Sequence, residues 1–413
     1  MSDEFRLGPD FARELDARDP LARFRERFDV HPDRVYLQAN GLGLASREAE
    51  AAVLRAVSEW KARGHRGWED GERPWLTTAE RLGALHAPLI GAAPDEVVAT
   101  GTTTQNLHVL MATFYQPQGR RTKVLADELN FPSDIFALQS QVRLRGLDPA
   151  QHLVLVKSRD GRFLEEDDIV AAMTDEVAVL MLPSAIYRSA QWLDVARLTR
   201  AAHERGIVAG FDLAHSIGVA PHALDAWDVD FAFWCGYKWL NGGPGAVGGL
   251  YVNRRHFGRA AGMTGWFGVA PEHQFDPDLV YHQAPTARAW SLSTPHVFSA
   301  AALEGALGII AEAGIEVIRA KSLVQTRYLL YLADRLLLGP ASAWSLGTPR
   351  EDRRRGGHVA LEHPDAARMR PRVLERGLHF GFKKPDTFRV APSPLYSTYA
   401  ELWQAIATLR DLT

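Results

Sequence analysis

The sequence predicts an α/β fold: a mostly parallel sheet with helices on both faces, plus a smaller C-terminal α+β unit. Short apolar, β-branched runs recur at residues 96–100, 123–127, 153–157, 177–183, 207–212, 231–235 and 249–253. Helical patterns separate them, for instance over 130–145 and 193–205. Near-continuous apolar strands alternating with helices read as a parallel sheet covered on both sides. The third observation is scale. At roughly 150 residues per domain, a chain of 413 residues has room for two or three domains, or for one large and one small.

The opening 45 residues are mixed in pattern and read as loop-like. Residues 47–63 then follow a helical pattern, with Ala51, Leu54 and Val57 on one face and Trp60 near the end. Strands and helices alternate to about residue 253, and helices return from Ser299 to about Leu338. The stretch 339–357 is rich in Pro and Arg and reads as an exposed hinge or loop. After it come a strand over 358–361, a helix, a second strand ending in Phe388-Arg389-Val390, and a terminal helix. This order divides the chain into a large α/β domain, 46–298, and a small domain built from 1–45 and 299–413.

Composition removes several function classes. The formal net charge is -3, from 47 Lys+Arg against 50 Asp+Glu, too weak a field to argue for a nucleic-acid or acidic-membrane partner. An apolar fraction of 46% and a charged fraction of 23% are ordinary for a globular protein. The single cysteine, Cys235, excludes a disulfide scaffold and any multi-cysteine metal site. The opening MSDEFRLGPD has no basic run followed by an apolar core, so no signal peptide is expected. No apolar run is long enough to span a bilayer. A cytoplasmic protein is the expectation.

In such sheets ligands collect at the carboxyl ends of the strands, and three strand ends here carry reactive groups. The first is Gly210-Phe211-Asp212-Leu213-Ala214-His215. Asp212 follows an apolar run, so it should be partly desolvated and in need of a cationic or donor partner. A helix-capping Asp beside an ordinary histidine is the competing reading; a metal pair lacks further ligands at recognisable spacing.

The second is Trp234-Cys235-Gly236-Tyr237-Lys238-Trp239-Leu240-Asn241. Only seven of the 47 basic residues are lysines, and Lys238 alone is embedded in an aromatic, apolar run. Burial favours the neutral amine, the nucleophile for a Schiff base; a snorkelling or salt-bridged lysine is the alternative. Asp212 and Lys238 on neighbouring strand ends tilt the choice. Pyridoxal phosphate (PLP) needs a lysine for its aldehyde and an acid for its pyridine nitrogen.

The third is Gly101-Thr102-Thr103-Thr104, ahead of a helix expected to begin near Gln105. Its hydroxyls and backbone N–H groups suit a phosphate, although Thr is also a common N-cap. Gly243-Pro244-Gly245-Ala246-Val247-Gly248 satisfies a dinucleotide-loop spacing. It runs into an apparent strand, however, and no acid lies about 20 residues on. Cys235 reads as a small buried apolar residue.

Further segments extend the pattern: Asn40-Gly41-Leu42-Gly43, Arg73-Pro74-Trp75, Phe131-Pro132-Ser133-Asp134, Gly265-Trp266-Phe267-Gly268 and Arg389-Val390-Ala391-Pro392-Ser393-Pro394-Leu395-Tyr396. In this order the combination resembles the kynureninase family of fold-type-I PLP enzymes over nearly the whole chain. The resemblance implies a fold-type-I PLP-dependent transferase-like architecture. It also implies hydrolytic cleavage of the Cβ–Cγ bond of L-kynurenine to anthranilate and L-alanine, in tryptophan degradation and the kynurenine pathway toward NAD biosynthesis. On it, Lys238 carries the cofactor, Asp212 pairs with the ring nitrogen, and His215 sits beside it. Phe131 stacks on the ring. Thr103, Thr104, Asp134 and Tyr237 help hold the cofactor. Trp266 and Thr294 complete the set, with Trp266 reaching across from a partner subunit of a homodimer. Arg389 clamps the substrate carboxylate, Asn40 lies near the substrate, and Tyr237 is the proton donor around Cβ. Trp68 and Thr294 match positions facing the substrate's aromatic ring. The pair looks like that of bacterial members favouring kynurenine over its 3-hydroxy form. No metal is implied.

Four positions depart from the family pattern: Gly41 and Gly236 stand where a Ser is usual, Pro183 where a Ser or Thr is usual (Ser184 lies next to it), and Ile186 where a polar residue is usual. The lysine, acid and arginine are intact. Other readings stay open. Another PLP reaction, transamination or β-elimination, would use the same fold. A cysteine desulfurase is disfavoured, because no free cysteine lies on a mobile loop. A nicotinamide-dependent oxidoreductase would use residues 243–248, and a cofactor-binding protein without turnover would release no product.

Overall fold

The computed structural model describes residues 5–412. Seven strands form the large sheet, in the spatial order Val97–Val98, Gly249–Val252, Phe231–Trp234, Val208–Asp212, Val177–Pro183, Lys123–Asp127, Leu153–Val156. The last five run parallel, and only Gly249–Val252 opposes its neighbours. Side chains alternate across it, as strand geometry requires. Val124, Ala126, Val179, Met181, Phe231 and Phe233 enter one core, with helices Thr103–Phe114 and Pro132–Leu144. Leu125, Leu180, Leu182, Phe211, Ala232 and Trp234 enter the other, with helices Thr78–Ile90 and Val195–His203. Both faces are therefore dry, which is why the strands read as continuous apolar runs.

A second sheet orders Val35–Leu37, Leu378–Lys383, Thr387–Val390, Val359–Glu362 and Ser345–Leu346. It is packed by helices Ile315–Leu336, Ala366–Glu375 and Tyr399–Leu412 over a core that includes Leu329, Leu361, Leu378, Val390 and Ile406. The preceding helix, Val297–Ala313, contributes Leu303, Leu307 and Ile310 to the large-sheet core instead, and the boundary expected at 298/299 falls within it.

Several local expectations need correction. From residue 5 the opening segment is packed rather than loop-like: helix Pro9–Ala17 puts Phe11 and Ala12 into the small core, while Leu21, Phe24 and Phe28 enter the large one. The stretch 339–357 is no simple exposed hinge, since Trp344 is buried and Arg355 wholly so. The second C-terminal strand is a hairpin of two, Leu378–Lys383 and Thr387–Val390; the intervening lysines, proline and aspartate mask the break. The helix expected near Gln105 begins at Thr103.

The helix Arg47–Arg63 has the expected bounds but buries the opposite face. Ala49, Ala52 and Ala56 pack inward, while Leu54 and Trp60 stay 59% and 58% exposed. The partner helix Val297–Ala313 explains this. A Cβ at its Gly305 would collide with the Glu48 carbonyl, so the two backbones approach too closely for large side chains.

Lys238 is also not the most buried lysine. Lys321, on helix Ile315–Leu336, has only 4% of its side chain exposed and pairs with Asp19 at 2.6 Å. The pair ties the N-terminal segment to the small-domain helix. Replacing Lys321 by Met would leave the Asp19 carboxylate buried and unpaired. A loss of about 3–5 kcal/mol is expected, read from urea unfolding, and much of it should return when Asp19→Asn is added.

Candidate active site

Strands Val208–Asp212 and Phe231–Trp234 are parallel neighbours, so their carboxyl ends open on the same edge. Asp212 ends the first, and the turn after the second brings Lys238 back over it. Asn241 closes this turn with φ 57° in the left-handed region. The Asn40-Gly41-Leu42-Gly43 turn packs underneath: Gly43 N–H donates to the Tyr237 carbonyl at 2.8 Å, where a Cβ would strike Asn241. From the other side, Thr103–Phe114 and Pro132–Leu144 present their N-termini. The result is a cleft of about 210 Å³ lined by Thr102, Thr103, Thr104, Phe131, Ser133, Asp134, Asp212, Ala214, His215, Tyr237 and Lys238.

Eight residues singled out in the sequence thus meet in one cleft. Thr102 comes from the hydroxyl-bearing stretch expected to suit a phosphate, whereas the sequence reading gives Ser133 no role. Ser133 shares a hydrogen bond with Thr104 (Oγ–Oγ1 2.8 Å), and its position at the first turn of a helix was the available signal. Arg389, 4% exposed, connects to the group through Tyr187, whose carbonyl accepts from Nη1 at 2.8 Å. Gly381 sits opposite it in register, and a Cβ there would stand 3.1 Å from the guanidinium. Asn40 is wholly buried outside this lining, with both amide atoms unpartnered. Trp68 stacks edge to face on Trp75 (5.4 Å), outside the cleft. Trp266 is 47% exposed and donates from Nε1 to the Gln274 carbonyl. It and Thr294 are also absent from the lining within one chain.

Burial sets the electrostatics. Desolvation, then the neighbouring Asp212 carboxylate, raises the Asp134 carboxyl well above the usual range. Asp212 is raised by desolvation, an effect opposed by Lys238 and by the Ala214 N–H, 2.7 Å from Oδ1. Of this buried pair Asp134 is the one raised well above the usual range, so the proton stays on Asp134 and the charge on Asp212. Asp127, behind them, is pushed up to about 7 by burial. His215 is held well below its ordinary value, first by burial and then by Lys238 and Arg389. Its Nε2 lies 3.0 Å from Lys238 Nζ. A neutral imidazole there accepts from the ammonium, leaving Nδ1 buried without a partner. Tyr237 is raised by burial, so it stays a phenol and a donor at neutral pH. Burial lowers Arg389 only to about 10, so it remains a cation.

The departures from the family pattern have structural consequences. A Cβ at Gly236 would lie 2.5 Å from the Val247 carbonyl oxygen, so a serine there needs a backbone shift. Ile186 is a fully buried core residue. Ser184 is buried beneath the cleft, bonded to Ser216 Oγ at 2.6 Å and to the Asp212 carbonyl at 3.2 Å.

The residues present fit PLP. The acids and imidazole have orphaned buried atoms, Asp134 Oδ2 and His215 Nδ1. Phe131 leaves a large ring 42% exposed over the cleft, and threonine hydroxyls ring a helix N-terminus. Among the described residues no cluster of His, Cys, Asp or Glu could hold a metal ion, and no helix is long and apolar enough to cross a membrane.

Comparison with known proteins follows the same lines. Residues 35–350 match the aminotransferase class-V family, and residues 318–409 match the kynureninase C-terminal domain. The kynureninase of Geobacillus thermodenitrificans is 51% identical over 403 residues, 98% of this chain and 94% of that one. That of Bacillus anthracis is 52% identical over the same shares. Among solved structures, C-DES with glycine covalently linked to its PLP cofactor superposes with TM-score 0.80 at 17% identity, covering 94% of this chain and 99% of that chain. A cysteine desulfurase from Thermococcus onnurineus gives TM-score 0.75 at 18% identity, covering 94% and 97%. These two share the fold.

His358, at the edge of strand Val359–Glu362, has its ring 6.4 Å from that of His215 and is held down to about 3 by burial. The unfolded chain, with an ordinary value near 6.5, binds that proton first. The contribution of His358 to stability is therefore whole above about pH 6.5 and is lost as pH falls toward 3. By pH 5 the loss is about 2 kcal/mol. Urea midpoints at pH 7.5 and 5 should show a correspondingly smaller drop in His358→Gln.

Proposed function

The chain belongs to the kynureninase family, and from that premise we propose how the cleft's residues share the work. It is a PLP-dependent hydrolase that cleaves a carbon–carbon bond of L-kynurenine. When bound, PLP withdraws electrons from the substrate's Cα and, later, from Cβ. The remaining steps fall to side chains. Lys238 carries the cofactor on its amine and, once freed by the incoming amino acid, takes the proton from Cα. Its 3.0 Å contact with neutral His215 gives it an acceptor that competes for no charge. Asp212, kept ionised by Lys238 and by the proton held on Asp134, faces the ring nitrogen. Phe131 covers one face of the ring. Thr103, Thr104 and Ser133 take the phosphate at the helix N-termini.

Arg389 grips the α-carboxylate, since a fork of donors suits it better than a point charge. Asn40, with two buried and unpartnered amide atoms, is positioned to complete substrate binding. Water adds to the γ-carbonyl, the Cβ–Cγ bond breaks, and Tyr237, held as a phenol, supplies the proton to Cβ. Anthranilate leaves first, then alanine. Trp68 and Thr294 set the fit of the aromatic ring, and with Trp in the first place kynurenine is preferred over its 3-hydroxy form.

The single observation that carries this reading is Lys238 over Asp212 and Asp134 at one buried sheet edge. Mixing the protein with PLP and L-kynurenine should release fluorescent anthranilate at about 1 per second or faster. Lys238→Ala should lose both the release and the cofactor's visible absorbance; retained turnover would overturn the scheme.

Two subunits complete the site in this reading. The outward face of Arg47–Arg63 exposes Trp60, against Phe298 at 5.8 Å, and the segment 266–280 exposes Trp266, Phe275, Leu279 and Val280. So large an exposed apolar set fits an interface, and a second copy would bring Trp266 and Thr294 to the neighbouring cleft. Sedimentation should give a dimer; a fully active monomer would remove this part of the reading.

A further inference from the structure

The hairpin Leu378–Lys383/Thr387–Val390 directs two cations toward the cleft from one face. In its register Gly381 pairs with Arg389 and Lys383 with Thr387. Residues two apart share a side of a strand, so Lys383 is the diagonal neighbour of Arg389. Its ammonium lies 5.8 Å from the Phe131 ring centroid and 5.5 Å from that of Tyr187. Those rings meet edge to face at 5.3 Å, and the Tyr187 carbonyl is the one that accepts from Arg389. Lys383 therefore stands at the rim where the cofactor-facing ring, Tyr187 and Arg389 come together.

Its partners set it apart from the three ion-paired lysines. Lys123, Lys157 and Lys321 each pair with a carboxylate, Glu176, Glu128 and Asp19. Lys383 has none among the described residues, and the nearby Asp386 is taken by Arg188 at 2.8 Å. Only two ring faces hold it, a weak contact that an anion can outcompete. Burial, then Arg389 and Lys238, disfavour its charge in the empty rim. An incoming anion relieves that repulsion.

We propose that Lys383 is a specificity-determining residue, a second cation that leaves the Phe131 and Tyr187 rings to meet the α-carboxylate gripped by Arg389, and so selects amino acids with a free carboxylate over those without one. This rests on the reading of Arg389 as the carboxylate clamp. A lysine suits the task, because a point charge on a flexible stem can swing between ring faces and ligand.

The test compares two small ligands on the PLP-loaded enzyme, L-alanine and L-alaninamide, which differ in the carboxylate charge. Dissociation constants come from calorimetry. In Lys383→Met, L-alanine should bind about five-fold more weakly, the size of one rim ion pair. L-Alaninamide should bind as before, and Lys383→Arg should restore most of the loss. Equal weakening of both ligands would mean a structural role and would overturn the proposal, as would unchanged L-alanine binding. Arg389→Lys separates the two readings. If it weakens L-alanine while Lys383→Met does not, Lys383 alone is misread; if neither variant weakens it, the clamp itself falls.

Discussion

A carboxylate cannot be left alone in a dry protein edge, and most of the cleft's architecture follows from that cost. Asp212 ends a strand buried on both faces, so its charge persists only because Lys238, the Ala214 N–H and a protonated Asp134 surround it. Each neighbour is in turn constrained. Burial, and then the Asp212 charge beside it, keeps Asp134 a carboxylic acid, while burial, and then the neighbouring Lys238 and Arg389, keeps His215 neutral. Burial around one charge thereby fixes the protonation states of two neighbouring groups. It does so in the cleft proposed to take PLP, whose pyridine nitrogen and aldehyde need an acid and an amine.

The supporting shell works through close approach. Gly43 lets the loop from the small sheet pack against the turn carrying Lys238, and Gly236 lets that turn pack on the Val247 carbonyl. Gly381 leaves room for the Arg389 guanidinium. These glycines stand where a Cβ would collide, so Gly236, which departs from the family's serine, is a packing requirement in this chain. The same principle turned helix Arg47–Arg63 around. Alanines face the neighbouring helix because the backbones nearly touch, and the large apolar residues Leu54 and Trp60 are displaced to the exposed face.

The sheet and the chemistry of its edge were legible in the sequence because strand period, apolar runs and strand-end residues are local properties. The strands at 123–127 and 177–183 and the helix Arg47–Arg63 have the bounds the pattern predicts. Lys238, Asp212, Thr103, Thr104, Phe131, Asp134, His215 and Tyr237 meet in one cleft. What failed depended on distant partners. Composition could not show that Lys321 finds Asp19 about 300 positions away, or that Leu54 and Trp60 point outward. Ser133, Tyr187 and Lys383 are ordinary residues until the hairpin and helix termini bring them to the rim.

The division has a physical basis. The sequence by itself determined which segments become strands, which side chains end them and what chemistry those side chains can perform, since these depend on each residue and its near neighbours. Only the tertiary structure decided which charges are buried, which protons stay on, and which apolar face stays exposed. Desolvation and close packing are properties of the space between segments, and no single segment contains them.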